Sequence, residues 1–409
     1  MFIMFIAGLI LSNIALPERF GTISLLILNA SLLSIVTGLG TESIVLHKVT
    51  TGIWKVTKSL QFVWFGLLLQ ILLFVLLEFL SLHFWNKTLL SNDSADYLAI
   101  DIIYYLGLVI SEKYMIMLYS FQKALLANLA MVSVAMVYMG GLFVLYYLLK
   151  ADFLTTFYFF AWQSFTQGFV LLLFFHFRHR LSDNEKLKRK ELISAIGLSL
   201  IVMVTNIIQL AAYRLDFWIL KYYYSNLEVG LYAQANKFAN LIWIIPNVLS
   251  QLLITRFSFV EKGMMPKVFS AAFYINIVGV LFTVMATNLF YYWYLKSAYQ
   301  AGLPAFYLML PGYFFWAVVI YIAAYFSWEG KFINNLIGSS ICFLIILCAD
   351  LILIPRYGIQ GAAWGNTIAY SLVFLLYLFF INKRFSISWK EFFLLQKNDF
   401  RRILKFVSA

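Results

Sequence analysis

SLQFVWFGLLLQILLFVLLEFLSLHFW, residues 59–85, is 27 positions long and holds a single Asp, Glu, Lys or Arg, which is Glu78. An α-helix rises about 1.5 Å per residue and the hydrocarbon core of a bilayer is about 30 Å thick, so roughly 20 apolar residues cross it. This run spans with residues to spare for the headgroup layers. Similar runs occupy 1–16, 22–46, 97–119, 125–149, 154–176, 192–213, 229–254, 268–290, 304–327, 332–354 and 360–382. Inside hydrocarbon, backbone N–H and C=O groups must bond within the segment, which dictates helix. The sequence predicts an all-α membrane protein of about 12 transmembrane helices.

Composition points the same way. With 63% hydrophobic and 12% charged residues, most of the chain faces lipid or other apolar helices, and a soluble protein is excluded. Trp54, Trp85, Trp218, Trp293 and Trp328 fall near the ends of runs, where they read as interface anchors. The net charge of +12 does not indicate nucleic acid, because the basic residues lie in short stretches between runs. Cys342 and Cys348 sit inside one run and read as packing residues. The first run lacks the basic lead and cleavage site of a signal peptide, so it is expected to remain as the first helix.

Alternate loops hold 21 Lys and Arg against 7, which places both termini on the cytoplasmic side. The longest connection, 177–191, lies on that side and divides the chain. The expected organisation is an N-terminal six-helix bundle (1–176), a basic cytoplasmic linker (177–191), a C-terminal six-helix bundle (192–382) and a basic cytoplasmic tail (383–409).

The halves look like a repeat. Glu18-Arg19-Phe20-Gly21 enters the second run and Leu227-Glu228-Val229-Gly230 the eighth; each run ends 26 residues after its glycine, at His47 and Arg256. Gln122-Lys123 and Gly330-Lys331 match at a similar displacement. Two six-helix halves of the same orientation imply a pseudo-twofold axis along the membrane normal, with a substrate path between them.

Ionisable groups in a span cost at least about 2.5–3.5 kcal/mol, so they mark an interior path. In the eighth run Lys237, Asn240, Asn247 and Gln251 fall within about 80° of one another at 100° per residue, with Pro246 opposite. Ser31, Gly38 and Glu42 are their mates in the second run. Asn206, Gln209 and Tyr213 form a stripe leading to Arg214 and Asp216; Asp101, Tyr105, Glu112 and Tyr119 share a face, with Lys113 beside it. The plainer reading is that Glu112 with Lys113, and Arg214 with Asp216, neutralise each other. Asp101, Asp350, Arg214 and Asp216 lie near the outer interface, where snorkelling makes a charge inexpensive. Pro246 and Pro311 are expected to kink their helices. His176 and His179 lack further metal ligands, and no Ser-His-Asp grouping, phosphate loop or H-E-x-x-H occurs, so neither an enzyme, a metal nor a cofactor is indicated.

Tyr213-Arg214-Leu215-Asp216-Phe217-Trp218-Ile219-Leu220, followed by Leu227-Glu228-Val229-Gly230-Leu231-Tyr232-Ala233-Gln234-Ala235-Asn236-Lys237, resembles the central signature of Wzx-type O-antigen and polysaccharide flippases of the MOP transporter superfamily. Pro17-Glu18-Arg19-Phe20-Gly21 and Tyr357-Gly358-Ile359-Gln360-Gly361-Ala362-Ala363-Trp364 are similar to other parts of the same family. The chain departs from the family pattern at its start, which lacks a basic lead. The resemblance implies a MOP/MATE-like fold in a bacterial inner membrane. It also implies alternating-access transfer of an undecaprenyl-diphosphate-linked oligosaccharide, an O-antigen or capsule repeat unit, to the periplasmic face, with a polysaccharide polymerase as a candidate partner.

Under that implication Lys237, Arg214 and Lys113 are the candidates for the diphosphate. Asn206, Gln209, Asn240, Asn247 and Gln251 are candidates for sugar hydroxyls, and Glu42, Glu78, Asp101 and Glu112 for ion coupling. Two alternatives remain open: a multidrug or cation antiporter of the same superfamily, favoured by an acidic cavity, and a membrane O-antigen polymerase, disfavoured by the short outer loops.

Overall fold

The computed structural model describes residues 2–178, 185–256 and 265–385, all helices and short connections. In chain order the helices are α1 (Phe2–Gly38), α2 (Thr41–Thr50), α3 (Val56–Trp85), α4 (Leu98–Ser120), α5 (Ala124–Phe143), α6 (Phe153–Arg178), α7 (Arg189–Tyr223), α8 (Asn226–Ala239), α9 (Ile244–Arg256), α10 (Met265–Trp293), α11 (Leu303–Trp328), α12 (Phe332–Tyr357) and α13 (Ile359–Phe385). Large apolar side chains lie open on their outer faces, as Leu72 (68% exposed) and Val137 (74%) do, which suits contact with lipid. Trp85 and Trp293 are exposed at helix ends as interface anchors should be; Trp54 is not, since it is buried edge-on against Phe62 at 5.1 Å.

Ten helices among the described residues are long and apolar enough to cross a membrane, where the sequence suggested about twelve. Two local irregularities account for the difference. α1 includes two of the expected runs, separated at Leu16 (φ 61°, ψ 166°) just before Pro17, whose ring cannot continue the first helix. The eighth run stays helical throughout but tightens to a 3-10 turn at Asn240–Trp243 between α8 and α9, so neither α-helical piece is long enough to span alone. Pro246 lies in the first turn of α9, and its missing N–H removes the α-helical bond that would reach back to Ile242 in the 3-10 turn.

The second run is also interrupted. α1 stops at Gly38 and α2 starts at Thr41, across left-handed Leu39 (φ 52°) and Gly40 (φ 68°). Gly40 is needed there twice over: its backbone is left-handed, and a Cβ would lie 2.7 Å from Ser199 O of α7. α8 begins cleanly because Ser225 accepts the Leu227 N–H at 3.2 Å while its hydroxyl donates to Glu228.

The chain divides into two compact units, Met1–Leu210 and Ala211–Ala409. In the first, α4 packs along α6, α1 against α3 and α5, and α2 against α4. The connection after α6 is tied to α3 by Lys55–Glu185 at 2.6 Å, Lys58–Glu191 at 3.3 Å and the Leu187 N–H donated to Gln61 Oε1 at 2.7 Å. In the second, α11 and α12 both pack on α13, and α8 and α9 lean on α11.

One packing device appears in each unit. Gly107 lets α4 approach α6 so closely that a Cβ would sit 2.2 Å from Phe165 N, and Ser164 Oγ donates across the crossing to Tyr104 O at 3.3 Å. Gly312 does the same for α11 and α13, with a Cβ position 2.5 Å from Thr367 Cα and Thr367 Oγ1 donating to Leu308 O at 2.5 Å. The repeat seen in the sequence thus extends to matching close helix crossings.

Candidate functional site

In the first unit a polar cluster forms around the α1–α2 break. The restart of helix at Thr41 brings Thr41 and Glu42 to α4, where the Lys113 ammonium, 1% exposed, donates to the Glu42 carboxylate and the Thr41 hydroxyl. Glu112, the preceding residue, accepts from the Ser34 hydroxyl of α1. Gln70 of α3 donates to Ser34 O at 3.1 Å, and Tyr105 shares a 2.7 Å hydrogen bond with Thr37. Glu112 and Lys113 therefore do not neutralise each other: consecutive helical positions point about 100° apart and reach different partners.

Glu78 and Asp101 do different work. Both Glu78 oxygens accept the Leu89 N–H at 3.2 Å, and Asp101 Oδ2 accepts from Leu90 N at 3.1 Å, Ser91 N at 2.9 Å and Ser91 Oγ at 3.2 Å. These carboxylates satisfy the backbone of a buried turn that would otherwise be left unpaired. Asp101, expected at an inexpensive interfacial position, is 0% exposed; a carboxylate on one methylene is too short to snorkel. Ser31 back-bonds to Ile27 O at 2.7 Å, Tyr119 donates to Asn128 at 2.7 Å, and Asn206 is half-buried.

The second unit holds a larger network. Asp216 is buried; its Oδ2 accepts from the Tyr232 hydroxyl and from Asn366 Nδ2 at 3.0 Å, and its Oδ1 from Phe217 N at 2.9 Å. Asn366 also donates to Tyr232 Oη at 2.7 Å. Arg214 does not pair with Asp216 as the plainer reading supposed. Its Nη1 donates to the neutral amide of Asn236 at 3.1 Å, Asn240 Nδ2 donates to the same oxygen at 2.6 Å, and Asn236 Nδ2 donates to Tyr313 Oη at 2.8 Å.

Asp350 of α12 is 0% exposed, and neither of its oxygens has a hydrogen-bond partner among the described residues. It lies against α13 at Gly365, where a Cβ would come within 2.3 Å of Oδ1. Asp216 and Asp350, like Asp101, are buried by protein, so none of the three reaches solvent by snorkelling.

The polar stripe expected on the eighth run is divided by the 3-10 turn. Four residues at about 120° each advance the face by roughly 80° more than an α-helix would. Asn240 joins the Arg214 network, Lys237 is half-buried on the last turn of α8, and Asn247 is exposed on α9. The side chains of Gln209 and Gln251, His179 and the tail beyond Phe385 lie outside the described residues. Tyr232 and Asn236, which precede Asn240 at i, i+4 spacing, join the same network and were not singled out in the sequence, where that spacing is visible.

No protein-family profile and no curated protein sequence matches the chain. Solved structures do. An inward-facing multidrug resistance MATE family transporter of the MOP superfamily superposes with a TM-score of 0.68 at 13% identity, covering 94% of this chain and 95% of that one. The lipid II flippase MurJ, in an inward closed conformation, gives 0.67 at 14% identity over 99% of this chain and 88% of its own. An outward-facing MATE transporter gives 0.61 at 15% identity, covering 94% and 92%. At such identities the likeness concerns architecture, and the chain has the fold that these MATE and MurJ structures share.

Proposed function

We propose that this protein is a flippase that carries undecaprenyl-diphosphate-linked oligosaccharide from the cytoplasmic to the periplasmic face of a bacterial inner membrane, with both termini cytoplasmic. The observation that carries this reading is the pair of interrupted spans. The second and eighth runs, mates in the sequence repeat, both depart from regular α-helix within the apolar stretch, and a polar network containing a cation adjoins each departure. Interrupted hydrophobic segments at corresponding positions of two halves are where transporters bind substrate. A diphosphate calls for cations in a low-dielectric setting, and Arg214, Lys113 and Lys237 supply them. The fold shared with a lipid II flippase supports a lipid-linked cargo.

Asp350 and Asp216 suit a coupling cation, a proton or sodium ion: the first carboxylate is buried with open coordination, and Gly365 leaves it room. The same pair favours a second reading, cation-coupled multidrug antiport, which the fold also accommodates.

Complementation separates them. The chain and its Lys237→Ala variant are expressed in bacteria lacking their own oligosaccharide flippase, and surface glycan and inner-face lipid-linked intermediates are assayed. Restored glycan with the wild type, and accumulated intermediates with Lys237→Ala at equal abundance, support the flippase. Failure of the wild type to restore glycan, together with acquired drug resistance, moves antiport ahead.

A further inference from the structure

The 3-10 turn between α8 and α9 places an amide-bearing and an indole-bearing residue on the same face. With three residues per turn, residues i and i+3 eclipse, so Asn240 and Trp243 stand one above the other; an α-helix would offset them by about 60°. The Trp243 ring is fixed in place. Its Nε1 donates to Tyr313 O at 2.9 Å, one face stacks on the Tyr313 ring at 4.3 Å and 9°, and Tyr370 meets it edge-on at 5.7 Å. Despite these anchors the indole remains half-buried, as do Asn240 and Tyr213, whose ring centroid lies 6.4 Å away.

From Asn240 a chain of hydrogen bonds runs through Asn236 to Arg214. Asn240 donates one amide hydrogen to Asn236 Oδ1 and keeps its own carbonyl oxygen and second N–H without a partner among the described residues. Arg214 reaches the same Asn236 oxygen, leaving most of its five donors for an anion. Asp216 does not compete, because its oxygens are held by Tyr232, Asn366 and the Phe217 N–H. A cation, two amides and a rigid aromatic ring therefore follow one another within a single unit. A glycosyl diphosphate has the complementary order: an anion, then a ring with hydroxyls at its rim and an apolar C–H face.

We propose that Trp243 and Asn240 form a saccharide subsite that receives the sugar next to the diphosphate, with Arg214 as the adjoining anion seat. This rests on the substrate reading above and adds which part of the substrate these residues recognise. The sugar's C–H face lies on the indole and its hydroxyls bond the Asn240 amide. Preorganisation by Tyr313 means that ordering the ring costs little on binding.

The test is binding to the full-length protein in detergent, with two probes: undecaprenyl diphosphate, and the same lipid bearing an oligosaccharide. Trp243→Ala is expected to weaken the glycan-bearing lipid about tenfold and the bare lipid hardly at all, while Trp243→Phe retains most of the affinity. Asn240→Ala, which leaves the aromatic packing in place, is expected to show the same selectivity to a smaller degree, and Arg214→Ala to weaken both probes. Equal effects of Trp243→Ala and Asn240→Ala on both lipids, or no effect of either, overturn the subsite while leaving the flippase reading intact. If the wild type binds neither lipid, the substrate reading itself fails and the subsite with it.

Discussion

The ammonium of Lys113 is ion-paired with the carboxylate of Glu42 immediately beyond the break between α1 and α2. Lys113 is 1% exposed and the Glu42 side chain 26%, so the pair closes over a cation with little access to solvent. Removing one partner strands the other. Lys113→Ala or Glu42→Ala is expected to cost about 3–5 kcal/mol, whereas the double change Glu42→Gln with Lys113→Met recovers much of it. Thermal unfolding in detergent measures this, and full additivity of the single changes would refute the pairing.

The glycine crossings make a sharper stability prediction. Gly107→Ala and Gly312→Ala force a methyl into the backbone of α6 or α13, at an expected cost of about 1–3 kcal/mol or more. Gly140→Ala and Gly279→Ala, with nothing within 4 Å of the new Cβ, are expected to be neutral or to stabilise by up to about 1 kcal/mol. Melting curves of the four variants should fall into these two groups.

Asp350 and Asp216 are expected to respond differently to neutralisation. Asp350→Asn removes a titratable carboxyl from a buried site without hydrogen-bond partners among the described residues, so stability should hold or rise while the cation dependence of transport is lost. Asp216→Asn disturbs acceptance from Tyr232, Asn366 and Phe217 N and should lower the melting temperature. Transport into proteoliposomes under imposed proton or sodium gradients, paired with melting curves, distinguishes the two; unchanged coupling in Asp350→Asn would remove it from the ion path.

Glu329, just past the end of α11, carries a pH signature. Partial burial pushes its carboxyl up, but the hydrogen bonds it accepts from Lys331, Arg384 and Tyr325 hold it below the ordinary glutamate value of 4.5. A group depressed in the folded state contributes stability that is fully present above its unfolded value and lost as pH falls through the folded one. The α11–α13 end is therefore expected to loosen only below about pH 4.5, and Glu329→Gln to flatten that part of the profile. Melting temperatures between pH 7 and pH 3 provide the check.

Much of the architecture was legible in the chain itself, because hydrocarbon leaves the backbone no alternative to helix and the apolar runs are long. The same logic flagged Glu112, Lys113 and Lys237 as groups marking an interior path. Which partner each found was not legible. Lys113 meets Glu42 because α1 breaks at Leu39–Gly40, and a hydropathy window registers that Gly-Leu-Gly as more apolar sequence. The 3-10 turn at Asn240–Trp243 is equally silent in a periodicity that assumes 100° per residue, so the placement of Asn247 and Gln251 on one face with Lys237 and Asn240 did not allow for the extra rotation. Asp350 looked free to snorkel from its place near the end of a run and is buried because Gly365 lets α13 pack over it. The sequence alone determined that the chain is helical, spans the membrane and is built as a repeat, since solvation acts on each segment independently. Partner choice, helix breaks and burial were decided only by tertiary structure, since they depend on which segments approach one another and how closely.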